Sequence, residues 1–388
     1  MIRSSVLVLT LAACTLWSPA VRSSPPETVP SLAVRELDKA SYVELVRQWR
    51  TWIEDEGESV EALVNLGKAL EYSGERTAAM RAARRAVDIG PDDPRALAFL
   101  GRVLLTGEGD VETALDLLER ARRLAPDVPN TLSLIATAHL RAGRPHEAAE
   151  TLAVMHDRGM FVRPLLDLAH NFLVDLPEGA ILITSGDNDT YPVLGLQAAR
   201  SFREDVTVVN RSLLNDPDYV GGIFAARPSI AVEMDYEGFE PFTDEDGIAH
   251  FLSRELLLRM IAVADVPVHI ALTAKYEIHG FEPEGELDGM SFRASGDARG
   301  PEVIAQALLS KARLDSATDW SFAWSLHPSL VPLMGNYVNA MIRLASMGGL
   351  SDGTWEALLE KAEGIAAFHD LDRQMTMIHR MRERRAAE

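Results

Sequence analysis

A chain of 388 residues is too long for one ordinary hydrophobic core, so we expect two domains and a shorter additional segment. Apolar residues make up 47% of the chain and charged residues 25%, which are the proportions of a globular protein. The chain has 58 Asp and Glu residues and 38 Lys and Arg residues, so its formal net charge is −20. Such a chain repels phosphate groups, which argues against nucleic acid as a partner.

The N-terminus has the pattern of a secretory signal. Arg3 precedes an apolar run at residues 6–13, which is too short for a membrane span because a helical span needs about 20 residues. The run ends in LAAC, which resembles the lipobox of bacterial lipoproteins, and Cys14 is the single cysteine of the chain. We therefore expect residues 1–14 to be a lipoprotein-type signal peptide and Cys14 to carry the lipid.

This expectation places the protein in the bacterial cell envelope, lipid-anchored in the periplasm or at the outer membrane. The alternative is an ordinary signal peptide cut after residues 18–20, which would give a secreted protein. Residues 15–37 are rich in Ser and Pro, a composition that favours an extended tether over a packed core.

A helical repeat occupies residues 38–160. The dipeptides LG, LG and IA occur at residues 66–67, 100–101 and 135–136, and turn glycines recur with the same spacing of 34 to 35 residues. A period of 34 with LG, a turn glycine, a later Ala and a closing Pro resembles the tetratricopeptide repeat. One helix pair cannot bury its apolar face alone, so we expect the pairs to stack on each other and on the next domain.

A tetratricopeptide array has two common roles. It serves as a structural spacer, or it presents a concave surface that binds other proteins. The repeat pattern alone does not separate these two roles. We take proteins bound at the repeat surface as the expected partners.

From residue 165 the pattern becomes that of an α/β domain, which we place at residues 165–345. Apolar runs without alternation, at 179–185, 205–215 and 266–274, predict strands that are covered on both faces. Helical patterns lie between them, so we expect a mostly parallel, three-layer α/β domain. Further helices are expected at residues 350–388. The predicted fold class is therefore α plus α/β.

The segment GDNDTYPVLGLQAARSFREDVTVVNRSLLNDPDYV, residues 186–220, is similar to the soluble C-terminal region of bacterial membrane proteins in the protein O-mannosyltransferase-like family. Residues 267–293 are similar to that region as well. Those proteins are expected to carry out transfer chemistry in their transmembrane part, and the present sequence has no apolar run of about 20 residues. The resemblance implies a shared extracytoplasmic module without the transferase activity.

The GDNDT turn follows the first predicted strand. In open α/β sheets, ligands bind beyond the carboxyl ends of the strands, and polar residues also follow the second predicted strand. These polar residues are expected to face one crevice. The ligand-binding candidates are Asp187, Asn188, Asp189, Thr190, Asn210 and Asn215.

This oxygen-rich cluster has two interpretations. Asp187 and Asp189 are the residue types that hold a divalent cation such as Ca²⁺, Mg²⁺ or Mn²⁺, or that bind sugar hydroxyls. Alternatively, the same residue types cap a helix, with Gly186 providing a backbone turn that is unfavourable for residues with a Cβ. His269, inside an apolar strand, is expected to be a core residue. No HExxH, GxSxG, P-loop or GxGxxG motif is present, and no catalytic residue is predicted.

From the sequence we favour an envelope-anchored repeat protein that binds or organises other proteins, with a link to glycan or glycoprotein assembly. The alternative is a metal-dependent enzyme that acts on sugars or glycoconjugates through Asp187 and Asp189. The sequence does not predict the oligomeric state.

Overall fold

The computed structural model describes residues 24–30, 36–107, 110–236, 238–245, 249–274 and 287–387. Cys14 and the predicted signal peptide lie outside these ranges. The N-terminal half is helical. Its helices are α1 Lys39–Glu56, α2 Val60–Ser73, α3 Arg76–Ile89, α4 Pro94–Thr106, α5 Val111–Leu124, α6 Pro129–Arg141, α7 Pro145–Asp157 and α8 Arg163–Leu173.

Helices α2 to α7 form three consecutive pairs, α2–α3, α4–α5 and α6–α7. The first helices of the pairs begin at residues 60, 94 and 129, so the predicted spacing of 34 to 35 residues is confirmed. Gly74 ends α2 in a left-handed conformation (φ +98°), and its N–H bonds to the carbonyls of the last turn. Helix α1 packs against α2 and precedes the first pair.

The small residues of the repeat allow the helices to pack closely. A Cβ on Gly67 would lie 2.3 Å from the Phe99 ring, and a Cβ on Gly101 would lie 2.7 Å from Leu118 Cγ. Both distances are far below van der Waals contact, so a larger residue at either position would push the neighbouring helix away. The dipeptide LG is therefore required by packing between helices.

The C-terminal half combines short strands with helices. Its strands are β1 Ile181–Thr184, β2 Thr207–Asn210, β3 Phe242–Thr243, β4 Ala249–His250, β5 Val268–Ala271, β6 Leu287–Asp288 and β7 Ser291–Arg293. Its helices are α9 Asp187–Arg200, α10 Pro217–Ala226, α11 Leu252–Val263, α12 Pro301–Lys311, α13 Val331–Ser346, α14 Asp352–Phe368 and α15 Asp372–Ala387.

The main sheet has the strand order β2-β1-β5-β7-β6. The first three strands are parallel, whereas β7 is antiparallel to both β5 and β6. The expected mostly parallel three-layer domain is therefore corrected to a small mixed sheet within a largely helical half. The tight connection at Gly289 (φ +67°) makes β6 and β7 antiparallel to each other, because strands joined by a two-residue turn pair antiparallel. Of these two strands, β7 lies beside β5 and pairs with it antiparallel.

The two faces of the sheet pack against different helices. Leu182 and Val208 belong to a core that includes α8, α12, α13 and α14. Ile181, Ile183 and Val209 belong to a second core that extends through α10 and α11 into the second and third repeat pairs. The repeats pack against α9 and α10, and the two halves share a continuous core.

None of the helices in the described ranges combines the length and the apolar character that a bilayer span requires.

Replacement of Gly67 by Ala should destabilise the protein by roughly 1–3 kcal/mol, because the added methyl group overlaps the buried Phe99 ring. The matched control is Gly364→Ala in α14, where a Cβ meets open space and the residue is exposed. This control should stabilise the protein by about 0.5–1 kcal/mol, since Ala is the better helix former. Urea unfolding of both variants measures the two effects, and equal stability of Gly67→Ala and the wild type would contradict the packing argument.

Candidate functional site

The GDNDT turn connects the end of β1 to the start of α9. Strand β1 pairs with β2 so that Thr184 lies beside Asn210, at the carboxyl ends of both strands. The hydroxyl of Ser212 donates a hydrogen bond to the carbonyl of Ser185, which holds the segment after β2 against the turn. The topology therefore brings residues 187–190 and Asn210 to one edge of the sheet.

Asp189 is 4% exposed, and the protein itself uses both of its carboxylate oxygens. Oδ1 accepts a hydrogen bond from the Gly186 N–H (2.7 Å), and Oδ2 accepts from the Ser185 N–H (2.9 Å) and from the Thr273 hydroxyl. Asp189 thus caps the start of its own helix and ties β1 to the end of β5. A cation at this position would compete with these donors for the same oxygens.

Asp187 is the first residue of α9, and its side chain is exposed. Partial desolvation raises the pKa of Asp187, and the Asp189 carboxylate adds to this increase, whereas the nearby Tyr191 hydroxyl opposes it. Asp187 is therefore the carboxylate of the pair that a solvent-borne ligand can reach.

Asn188 and Thr190 differ in their environments. Asn188 is half-buried at the second position of α9. Thr190 is 1% exposed, and its hydroxyl lies 2.7 Å from the hydroxyl of Thr184. This pair of hydroxyls joins the last residue of β1 to the first turn of α9.

The two predicted Asn residues both accept backbone hydrogen bonds. Asn210 is buried, and its Oδ1 accepts from the Ser212 N–H (3.0 Å). Asn215 is exposed, and its Oδ1 accepts from the Ser253 N–H (3.0 Å) at the start of α11. Asn210 lies beside the GDNDT turn, whereas Asn215 is engaged with α11.

The expectation for Gly186 is wrong. Its backbone is extended (φ −152°, ψ −162°), a conformation that other residues adopt readily, and a Cβ would meet nothing within 4 Å. The turn is closed by the Asp189 side chain, so it does not depend on a special glycine conformation. Nothing in the structure explains why glycine occupies this position.

A hydroxyl contact between the two halves was not predicted. The Tyr191 hydroxyl lies 2.6 Å from the hydroxyl of Thr137 on α6. Burial raises the pKa of Tyr191 well above its usual value, so the phenol stays protonated. Thr137 precedes Tyr191 by 54 residues, and no sequence signal connects the two positions.

His269 lies in the core, as expected. It is fully buried in β5, with Nδ1 3.0 Å from the Ser291 hydroxyl, which in turn donates to the Asp288 carbonyl. Nδ1 is therefore assigned as the protonated nitrogen, and within the described ranges Nε2 has no hydrogen-bond partner. Burial lowers the pKa of His269 to about 4, so the ring is neutral near pH 7.

In the described part of the chain, no three His, Cys, Asp or Glu side chains are grouped closely enough to hold a metal ion. The idea that Asp187 and Asp189 bind a divalent cation stays a prediction.

A second candidate surface is the concave face of the repeats, where α2, α4 and α6 form a groove of about 360 Å³. Its walls combine apolar, amide and cationic side chains with one carboxylate, Glu61, which lies 3.9 Å from the Arg95 guanidinium, and Thr28 of the segment before α1 contributes to one side. The lining residues include Val64, Asn65, Lys68, Tyr72, Arg95, Phe99, Arg102 and Asn130.

In the described part of this groove, some charged side chains form ion pairs, and one does not. Arg102 pairs with Glu71 at 2.5 Å, and both side chains are nearly buried. Arg95 pairs with Asp93 at 2.8 Å. Lys68 is half-buried, and among the described residues no carboxylate forms an ion pair with it. Among the described residues of the groove, Lys68 is therefore a cation without an ion-pair partner of its own.

A larger cavity of about 480 Å³ lies between the sheet and helices α13 and α15. Arg343 and Arg373 contribute to its lining, and the Arg343 guanidinium lies 5.0 Å from the centre of the Phe292 ring. None of the candidate residues from the sequence lines this cavity.

Models of known protein families match parts of both halves of the chain. A tetratricopeptide repeat model matches residues 64–129, and a second matches residues 105–158. The N-terminal half contains tetratricopeptide repeats. A further model, described as TMEM260-associated domain 2, matches residues 165–239, which include β1, the GDNDT turn, α9, β2 and α10. The resemblance to protein O-mannosyltransferase-like proteins is not confirmed by this match and stays a prediction.

The similar solved structures are distant. The crystal structure of MamA is 16% identical, covers 44% of this chain and 94% of its own, and gives a TM-score of 0.30. The structure of Naa15/Naa10 bound to HypK-THB is 13% identical, covers 88% of this chain and 58% of its own, and gives a TM-score of 0.22. At these TM-scores neither supports an argument about this protein. A search among curated proteins found no match.

The isosteric substitution Asp189→Asn should lower the free energy of unfolding by roughly 2–4 kcal/mol, because at least one of the buried donors around the carboxylate loses its acceptor. Asp187→Asn should change it by less than about 0.5 kcal/mol, since the exposed Asp187 carboxylate does not cap the helix. Chemical denaturation of the two variants gives this comparison, and equal losses would contradict the assignment of Asp189 as the cap.

The same variants test the cation prediction. Calorimetric titration of the wild type with Ca²⁺, Mg²⁺ and Mn²⁺ should give binding heat that Asp187→Asn abolishes while leaving stability intact. If the wild type gives no heat with any of the three cations, the metal-site interpretation is wrong.

Proposed function

We propose that this protein binds an extended acidic segment of a partner protein in the groove of its tetratricopeptide repeats. The observation that carries the proposal is Lys68, a half-buried cation in the groove wall without an ion-pair partner among the described residues. Burying a charge without a countercharge is unfavourable, so such an arrangement is retained where a ligand supplies the opposite charge.

The electrostatics around Lys68 favour a carboxylate ligand. Burial lowers the pKa of Lys68, and the Arg102 guanidinium adds to the decrease, whereas Glu71 opposes it. Glu71 is already engaged by Arg102, so its charge is largely cancelled. A ligand carboxylate beside Lys68 would stabilise the ammonium group and restore its pKa.

The remaining lining suits an extended peptide. Val128 is 41% exposed and provides apolar surface, and the Asn130 amide can bond to peptide groups of a bound main chain. A groove of about 360 Å³ accommodates a few side chains, in keeping with a short linear segment. The contact of the third repeat pair with α9 and α10 keeps the helices that form the groove in place.

We also propose that the protein is lipid-anchored in the bacterial cell envelope. The support is the sequence of residues 1–14, with its short apolar run and LAAC ending. A link to glycan or glycoprotein assembly is supported only by the resemblance of residues 186–220 and 267–293. The alternative enzymatic function is supported by Asp187 and Asp189 alone, and the cation titration tests it.

Intact-mass spectrometry of the protein purified from a bacterial host should show a chain that begins at Cys14 and carries a diacylglycerol group. Cys14→Ala should remove this mass and release the protein from the membrane fraction, whereas Thr15→Ala should leave both unchanged. A wild-type chain cut after residues 18–20, or left uncut, would refute the lipid anchor.

Lys68→Met should weaken binding of acidic peptides about tenfold or more, because the ligand carboxylate loses its partner in a partly buried site. The same substitution should leave the melting temperature unchanged or raise it, since it removes an uncompensated charge from the free protein. The matched control is Lys361→Met on the exposed face of α14, which should alter neither property.

Random peptides displayed on phage and selected on the immobilised full chain provide the ligands for this measurement. The selected peptides should be rich in Asp and Glu, and fluorescence anisotropy then compares their affinities for the wild type and the two variants. Selection of peptides without acidic residues, or equal binding by Lys68→Met, would contradict the proposal.

A further inference from the structure

Residues 24–30, in the segment expected to be a tether, lie against α1 and α2. Val29 is 1% exposed and belongs to the same core as Tyr42 and Trp49. The segment has no regular secondary structure, and it precedes α1 by only a few residues. It is therefore a short peptide packed on the first helices of the repeat domain.

The main chain of this segment is bonded by side chains of the helices. The Val29 N–H donates to Oδ1 of Asn65 on α2 (2.9 Å), and the Glu27 carbonyl accepts from the indole N–H of Trp49 on α1 (3.2 Å). The side chains of Glu27 and Thr28 remain exposed. Two main-chain hydrogen bonds and one buried aliphatic anchor are the means by which proteins recognise extended peptides.

The segment also touches the groove. Thr28 and Asn65 both line it, and the Asn65 amide donates to the Glu61 carbonyl (2.9 Å) while its oxygen accepts from Val29. As long as residues 24–30 are bound, the Asn65 carbonyl oxygen is not available to another ligand.

We propose that α1 and α2 form a peptide-binding site whose intramolecular ligand is residues 24–30. The site recognises an extended segment with one aliphatic anchor, and it accepts the same segment in trans once its own copy is displaced. The bound segment ends at Pro30 and α1 begins at Lys39, so the connection between the segment and its site is short. The effective concentration of the segment at the site is therefore in the millimolar range. The proposal does not depend on which partner enters the groove.

The test uses a fluorescein-labelled synthetic peptide with the sequence of residues 23–31, SSPPETVPS, and the full-length chain. Wild-type protein should bind this peptide weakly, because the site is occupied in cis. Val29→Asp in the chain should displace its own segment and increase the affinity for the peptide about tenfold. Adding Asn65→Ala to Val29→Asp should reverse the gain, since the main-chain hydrogen bond is lost.

A second measurement covers the case in which Val29→Asp unfolds α1. A protease site placed within residues 31–35 leaves the segment and its site unchanged, and cleavage lowers the effective concentration of the segment to that of the protein. The cleaved chain should then exchange its segment for the labelled peptide, whereas a peptide with Asp in place of Val29 should not bind.

Two outcomes overturn the proposal. One is a cleaved chain that remains folded and does not bind the peptide, and the other is equal binding of the Val and Asp peptides. Lys68→Met should bind the peptide as the wild type does, so a failure of the acidic-ligand proposal and a failure of this one are distinguishable.

Discussion

The close contact between α7 and α9 determines how the two halves are joined. A Cβ on Gly195 would lie 3.0 Å from the Leu152 carbonyl oxygen and 2.8 Å from the Phe161 ring, so the helices meet backbone to backbone. Around this contact, one apolar core runs from the repeats to the sheet, and the Thr137 and Tyr191 hydroxyls meet at its edge. The repeats therefore gain from the helices of the C-terminal half the burial that so short an array lacks.

The array is covered at both ends. At its C-terminal end, the Arg141–Asp216 ion pair (2.7 Å) joins α6 to the start of α10, and a Cβ on Gly222 would lie 2.7 Å from the Cα of Gly143. At its N-terminal end, α1 and residues 24–30 cover the first pair. Each stacked pair thus has its apolar face buried, which is what a repeat array of this length needs for stability.

Local sequence signals predicted the repeats and the first strands because helix period and apolar runs are properties of neighbouring residues. They did not predict that β7 pairs antiparallel with β5, nor the Thr137–Tyr191 contact, because both depend on how distant parts of the chain pack together. The residue types of the GDNDT turn are compatible both with a helix cap and with a ligand-binding site. In the structure, hydrogen-bond donors surround Asp189 and identify it as the cap, whereas Asp187 is exposed to solvent.

The path of residues 24–30 has a consequence for access to the groove. Because these residues run along α1 and α2 and Thr28 lines the groove, the segment forms part of its rim. A bulky group coupled to the side chain at position 28 would therefore stand beside the groove. Such a group would hinder folded partners more than thin, extended chains.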